Sequence, residues 1–125
     1  MKINEALEYH HLYQRLKNEP VKIKLAYKLN KLNLRVSEEI SLYEETLGKI
    51  LNKYAQKDEK GNFIGNADNS GVLIQEEFLG ICHQEVEELQ SIEFEIPDIS
   101  FTLDELEGLK ITPAELSCLE SLIID

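Results

Sequence analysis

Between residues 66 and 77 the chain sets oxygen-bearing side chains at the spacing of a calcium loop. Asn66, Asp68 and Ser70 take the first, third and fifth places, Gly71 the sixth, Val72 the seventh and Glu77 the twelfth. Calcium chemistry asks for that order: side-chain oxygens early, a glycine where the chain turns sharply, a backbone carbonyl at seven, and a two-oxygen carboxylate to close the shell. Leu73 at the apolar eighth place and Phe78 just after Glu77 extend the likeness. Two features depart from it. The first place holds an asparagine, which removes one negative charge from around the ion. The preceding Gly61-Asn62-Phe63-Ile64-Gly65 is poor material for an entering helix. The calcium loop is therefore a side reading, and the main expectation is a chain without cofactor or resident metal.

Other chemistry finds less support. His10-His11 and Cys82-His83 are adjacent pairs, and neighbours on a helix point about 100° apart, so each pair offers one natural ligand at most. No Cys-x-x-Cys or His-x-x-x-His spacing occurs, nor a glycine-rich phosphate loop, nor a Gly-x-Ser-x-Gly elbow. Cys118 falls in a leucine-rich helical stripe and reads as a buried, inert thiol. Carboxylates are so abundant that their pairing means nothing by itself. The sequence calls for no catalytic residues, and a non-enzyme is expected.

Charge is more informative. The 125 residues carry 13 basic and 24 acidic side chains, a net of −11. Residues 1–60 hold 12 of the basic groups and 9 of the acidic ones, whereas residues 61–125 hold 15 acidic groups and one basic, Lys110. Such a field repels nucleic-acid phosphates and attracts basic partners. The acidic side chains placed to meet a partner are Glu76, Glu77, Glu87 and Glu88, with Glu93, Glu95 and Asp98 beyond them. On the basic side, Lys24, Lys28, Lys31 and Arg35 share one helical flank and form an alternative, anion-binding site.

These groups must be held by helices. Residues 3–18 read as a first helix, with Ile3, Ala6, Leu7, Tyr9, Tyr13 and Leu16 as its apolar positions, stopped before Pro20. From Pro20 to Gln56 one long helix is expected on the seam Leu25, Leu29, Leu32, Val36, Ile40, Tyr43, Leu47, Ile50 and Tyr54. A helix of that length either breaks, near Ser37 or Gly48, or projects and packs on a second copy, and an antiparallel homodimer is the expectation. Ile23, Tyr27 and Leu34 lie opposite the main seam, so its first half is expected to be sandwiched between elements.

Residues 57–74 break the pattern, and a small hairpin is expected of 62–64 against 72–74. A third helix over 75–91 carries Phe78, Ile81, Cys82, Val86 and Leu89 on one face. Glu85 falls among them, either reaching solvent at the edge or pairing with a cation of the basic helix. Residues 92–96 alternate apolar and acidic like a strand, closed by Pro97. Thr102-Leu103-Asp104-Glu105 and Thr112-Pro113-Ala114-Glu115 are capping boxes that open helices over 103–107 and 113–123. The sum is one domain over 1–125, mainly α: an antiparallel helical bundle with one long helix and a small β-hairpin or strand element. No apolar run approaches the roughly 20 residues a membrane span needs, no signal peptide is visible, and two cysteines suit a reducing compartment.

The order of parts resembles a family of small uncharacterised proteins encoded by phages and prophages of Gram-positive bacteria. The likeness covers residues 20–124 and rests on layout. The Lys/Leu-rich helix runs into Tyr54-Ala55-Gln56-Lys57-Asp58-Glu59-Lys60-Gly61-Asn62. The acidic helix follows, from Glu76-Glu77-Phe78 to Glu87-Glu88-Leu89, then Ile92–Ile96 and the terminal Leu119-Glu120-Ser121-Leu122-Ile123. The first helix lies outside the likeness, and no functional residue carries over. The resemblance implies a phage-type protein in the host cytoplasm, and by analogy one that binds and blocks a host protein with a basic surface. A phage-particle assembly role and a sponge for an anionic signalling nucleotide stand as alternatives.

Overall fold

The structure, a computed structural model, describes residues 1–65 and 71–124. It is mainly helical: α1 (Ile3–Leu16), α2 (Ile23–Tyr54), α3 (Leu79–Gln90), α4 (Leu103–Leu106) and α5 (Pro113–Ser117), with 3-10 turns at Glu76–Phe78 and Glu120–Leu122. The chain gathers into two compact units, Met1–Ser41 with everything from Ile92 onward, and Leu42–Ser91. Among the described residues no helix is long and apolar enough to cross a membrane.

In the first unit, α1 turns Ala6, Tyr9, Leu12 and Leu16 inward against Leu25, Leu29, Leu32, Val36 and Ile40 of α2. Ile99, Phe101, Leu106, Cys118, Leu119 and Leu122 close the same core. The steps of three and four that define both stripes are those that keep side chains on one helical face. The Tyr9 hydroxyl donates to the Leu29 carbonyl at 2.6 Å, which satisfies the polar end of a ring that is otherwise wholly buried. Burial raises that phenol well above its ordinary pKa. Both C-terminal capping boxes form, with Thr102 accepting from the Glu105 N–H and Thr112 from the Glu115 N–H. Gly108, at φ +91°, lies beyond the end of α4 in a backbone conformation that suits glycine.

The second unit contains residues 42–54 of α2 and the whole of α3. The two helices run antiparallel: Gln90 donates to the Tyr43 hydroxyl at 3.1 Å, while the Tyr54 ring meets Phe78 at the other end, 5.3 Å between centroids. Tyr43, Tyr54, Ala55, Cys82 and Leu89 are its buried side chains.

Several sequence expectations need correction. α2 starts at Ile23, not Pro20, but it runs unbroken through Ser37 and Gly48. The helix expected over 75–91 opens as a 3-10 turn and becomes α-helical only at Leu79, and that expected over 113–123 ends at Ser117 and resumes as a 3-10 turn. No strand or hairpin exists among the described residues. The stretch after α2 instead makes a cycle of backbone bonds among three short segments. Gln56 N–H donates to the Leu73 carbonyl (2.8 Å), Leu73 N–H to that of Ile64 (2.8 Å), and Ile64 N–H to that of Gln56 (3.1 Å). Each segment divides its pairing between two others, so only isolated bridges arise, Ala55 with Ile74, Lys57 with Phe63 and Gly65 with Val72.

The strand expected at 92–96 is likewise one bridge, Lys2 with Glu93. On one side of the bridge the chain turns helical at Ile3, which ends the pairing in that direction. The next carbonyl, that of Glu95, is taken by Arg35 Nε at 3.0 Å.

Candidate functional site

Of the fifteen carboxylates in residues 61–125, three are ion-paired to lysine or arginine among the described residues. Glu105 meets Lys28 at 2.8 Å, Glu115 meets Arg15 at 2.6 Å, and Glu85 meets Lys53 at 3.3 Å. The capping box explains the first two. Each box fixes its glutamate at the third helical position with one oxygen on the threonine N–H, and the carboxylate then has further lone pairs for a cation from another helix. The Lys28 ammonium, and after it the Thr102 N–H, hold the Glu105 carboxyl below its usual pKa, and Arg15 and then the Thr112 N–H do the same for Glu115. Glu85 takes the second of its two expected courses: it lies half-buried, paired with Lys53 and accepting from the Tyr54 hydroxyl at 2.9 Å.

The proposed partner-binding carboxylates are otherwise placed. Glu76, Glu77, Glu87 and Glu88 are exposed in the second unit, and Glu93, Glu95 and Asp98 are exposed in the first. The sequence read them as one surface; they belong to two units. No ion pair to lysine or arginine forms at any of the seven among the described residues, and Glu87 meets only the His83 imidazole, at 3.0 Å. Glu76 and Glu77 open the 3-10 turn before α3, while Glu87 and Glu88 sit in its last turn. Ten helical residues span about 15 Å, beyond the screening length of about 8 Å at physiological salt. The unit-two acids therefore act as two separate pairs.

The pairs differ in one respect. Carboxylates at the start of a helix are stabilised by its dipole, and carboxylates in the last turn are destabilised. The last turn of α3 contains no basic residue to offset Glu87 and Glu88. Exchange of either for a neutral residue relieves an unfavourable interaction of about 0.3–1 kcal/mol.

The basic flank of α2 is half committed. Lys28 is held by Glu105, and Arg35 is held by Glu39 at 2.7 Å while its guanidinium lies over the Phe94 ring at 5.1 Å. Lys24 and Lys31 form no ion pair among the described residues. They edge an apolar stripe that the sequence placed in a sandwich and the structure leaves bare: Ile23 is 84%, Tyr27 67% and Leu34 70% exposed. Among the described residues of the first unit, α1 and most of the C-terminal segment pack on the Leu25–Ile40 seam, and only residues 98–99 border the stripe. A groove of about 420 Å³ lies beside it, lined by Tyr27 and Ile99 with Lys24, Lys31 and the Asp98 carboxylate. Sequence reasoning found these residues but assigned them a buried role; an exposed aromatic beside two uncommitted lysines was the overlooked signal. Ile81, expected on the buried face of α3, is also exposed.

Of the calcium-loop residues, Asn66, Asp68 and Ser70 lie outside the described residues. Val72 is in the bridge with Gly65, and Glu77 is exposed. The entering segment is bridged and extended where an EF-hand has a helix. Among the described residues no cluster of three or more metal-ligating side chains occurs. His10 is half-buried and His11 exposed, their rings 6.4 Å apart. Cys82 and Cys118 are both buried free thiols, and burial pushes the Cys118 thiol up to about 12. No protein-family model, curated protein or solved structure matches this chain.

Proposed function

We propose that this chain is a non-enzymatic interaction protein that captures a basic surface on another protein through the acidic face of α3. The observation that carries the reading is the Glu87–Glu88 pair, exposed in the last turn of α3 and paired with no lysine or arginine among the described residues. Charge placed there works against the helix that bears it, and a cost of that kind persists in a sequence where the group serves an outside partner. Glu76 and Glu77 add a second negative point at the opposite end of the helix. Complementary charge of this sort speeds encounter and selects partners more than it adds raw affinity.

The resemblance of residues 20–124 to phage-encoded proteins gives the partner's setting: a host protein with a basic patch, met in the host cytoplasm and blocked by occupation of that patch. Direct nucleic-acid binding does not suit so negative a chain. The nucleotide-sponge alternative has less support, since Lys28 and Arg35 are already held by Glu105 and Glu39.

The test is capture from host lysate by the intact chain against the Glu77→Lys, Glu87→Lys, Glu88→Lys variant, with mass spectrometry of what is retained. A basic protein held by the first and lost by the second supports the reading; equal retention by a folded variant rejects it.

A further inference from the structure

The bare stripe on α2 is independent of the acidic face and calls for its own occupant. At about 100° per residue, Ile23, Tyr27 and Leu34 fall within about 40° of one another, and Lys24 and Lys31 lie together along one edge. Three large apolar side chains in one exposed stripe mark an interaction surface and not scattered exposure.

A second copy laid antiparallel, stripe on stripe, is the simplest occupant, and its charge opposes it. The twofold axis that exchanges two such helices passes between them, perpendicular to both, and that operation returns the lysine edge to the same side of the contact. Lys24 of one copy would then lie beside Lys31 of the other, like charge against like.

The chain carries a better complement elsewhere. Glu77, Ile81, Gln84 and Glu88 follow one another at steps of four, three and four. All four are exposed, Ile81 by 49%. Gln84 donates to Glu88 along this row at 3.5 Å. This exposed row runs from the 3-10 turn into α3 with an apolar centre and a carboxylate at each end, the counterpart of an apolar stripe edged by lysines.

We infer that this chain self-associates heterologously, the Ile23–Tyr27–Leu34 stripe of one molecule receiving the Glu77–Ile81–Glu88 face of a second copy, with Lys24 and Lys31 against its carboxylates. The contact overlaps the surface proposed for a basic partner, so partner and second copy compete. The α2 stripe resembles, in its apolar and cationic make-up, what the acidic face would recognise on a partner.

Molar mass by light scattering and sedimentation, over a range of protein and salt concentrations, tests this with two variants. Lys24→Glu/Lys31→Glu makes the stripe acidic, and Glu77→Lys/Glu88→Lys makes the α3 face basic; circular dichroism establishes that each is folded. The unmodified chain associates, more tightly at low salt. Each variant alone weakens association by about tenfold or more, since two charge pairs become two repulsions. The two variants mixed in equal amounts associate again, because each then presents the complement of the other. A chain that stays monomeric at low salt and high concentration overturns the inference. So does a Glu77→Lys/Glu88→Lys variant that associates as well as the unmodified chain, which would mean that stripe pairs with stripe. Neither result touches capture of a basic partner, which is read separately in lysate.

Discussion

Glu105 serves a helix cap and an ion pair with one carboxylate, and the two roles can be separated. Its Oε1 accepts from the Thr102 N–H at 3.0 Å, and both oxygens lie 2.8 Å from Lys28 Nζ. Replacement by glutamine keeps an acceptor for the cap and removes the charge; replacement by alanine removes both. A partly exposed pair contributes about 0.2–1 kcal/mol, and the glutamate's own bond from the Thr102 N–H about 1 kcal/mol, while the Thr102 hydroxyl still accepts from the residue-105 N–H in either variant. For a chain of this length about 1 kcal/mol moves the melting temperature by about 4 °C. Glu105→Gln therefore melts about 2 °C below the unmodified protein, and Glu105→Ala about 6 °C below it.

The pH dependence identifies the charged part. Lys28 and the Thr102 N–H hold the folded carboxyl below its ordinary value of 4.5. A depressed folded pKa stabilises above the unfolded pKa, and that stabilisation is lost as pH falls through the folded value. Thermal unfolding followed by circular dichroism at pH 7 and at pH 3 reads both quantities. The gap between the unmodified protein and Glu105→Gln is present at pH 7 and narrower at pH 3, below the ordinary carboxyl value. A gap of the same size at pH 3 refutes the electrostatic assignment.

Further expectations follow from the core. Tyr9→Phe removes the 2.6 Å bond to the Leu29 carbonyl and lowers stability by about 1 kcal/mol, measured by urea denaturation. Leu32→Ala, at a fully buried position facing α1, costs about 2–5 kcal/mol in the same assay. Cys118, buried and with its thiol pushed up to about 12, resists iodoacetamide at pH 8 in the folded chain and reacts on denaturation; prompt labelling of folded protein would contradict its placement.

What the sequence revealed and what it hid divide by range. The seams of α1 and α2 and both capping boxes were legible because periodicity and capping depend on residues within a few positions of one another. The ion pairs of the cap glutamates were not, since Arg15 and Glu115 are a hundred residues apart and no local pattern links them. The alternating run Ile92–Ile96 looked like a strand, but the segment it bridges turns helical at Ile3 and the Glu95 carbonyl is taken by Arg35, contacts that no local pattern announces. Ile23, Tyr27 and Leu34 were correctly placed on one face, and the inference that a second layer covers them failed because apolar side chains record a preference for contact without naming the molecule that provides it. The charge asymmetry was visible in the sequence; that Lys28 and Arg35 are neutralised within the first unit while Glu87 and Glu88 meet no lysine or arginine among the described residues was not.

The Glu87→Lys/Glu88→Lys variant puts the central claim to its most direct test, with melting temperature and partner capture measured on the same preparation. Two unfavourable charges at the end of α3 become favourable ones, so the account expects a melting temperature raised by a few degrees, about 1 kcal/mol, together with loss of the captured basic protein. A variant that melts lower, or one that captures the same partner undiminished, contradicts it.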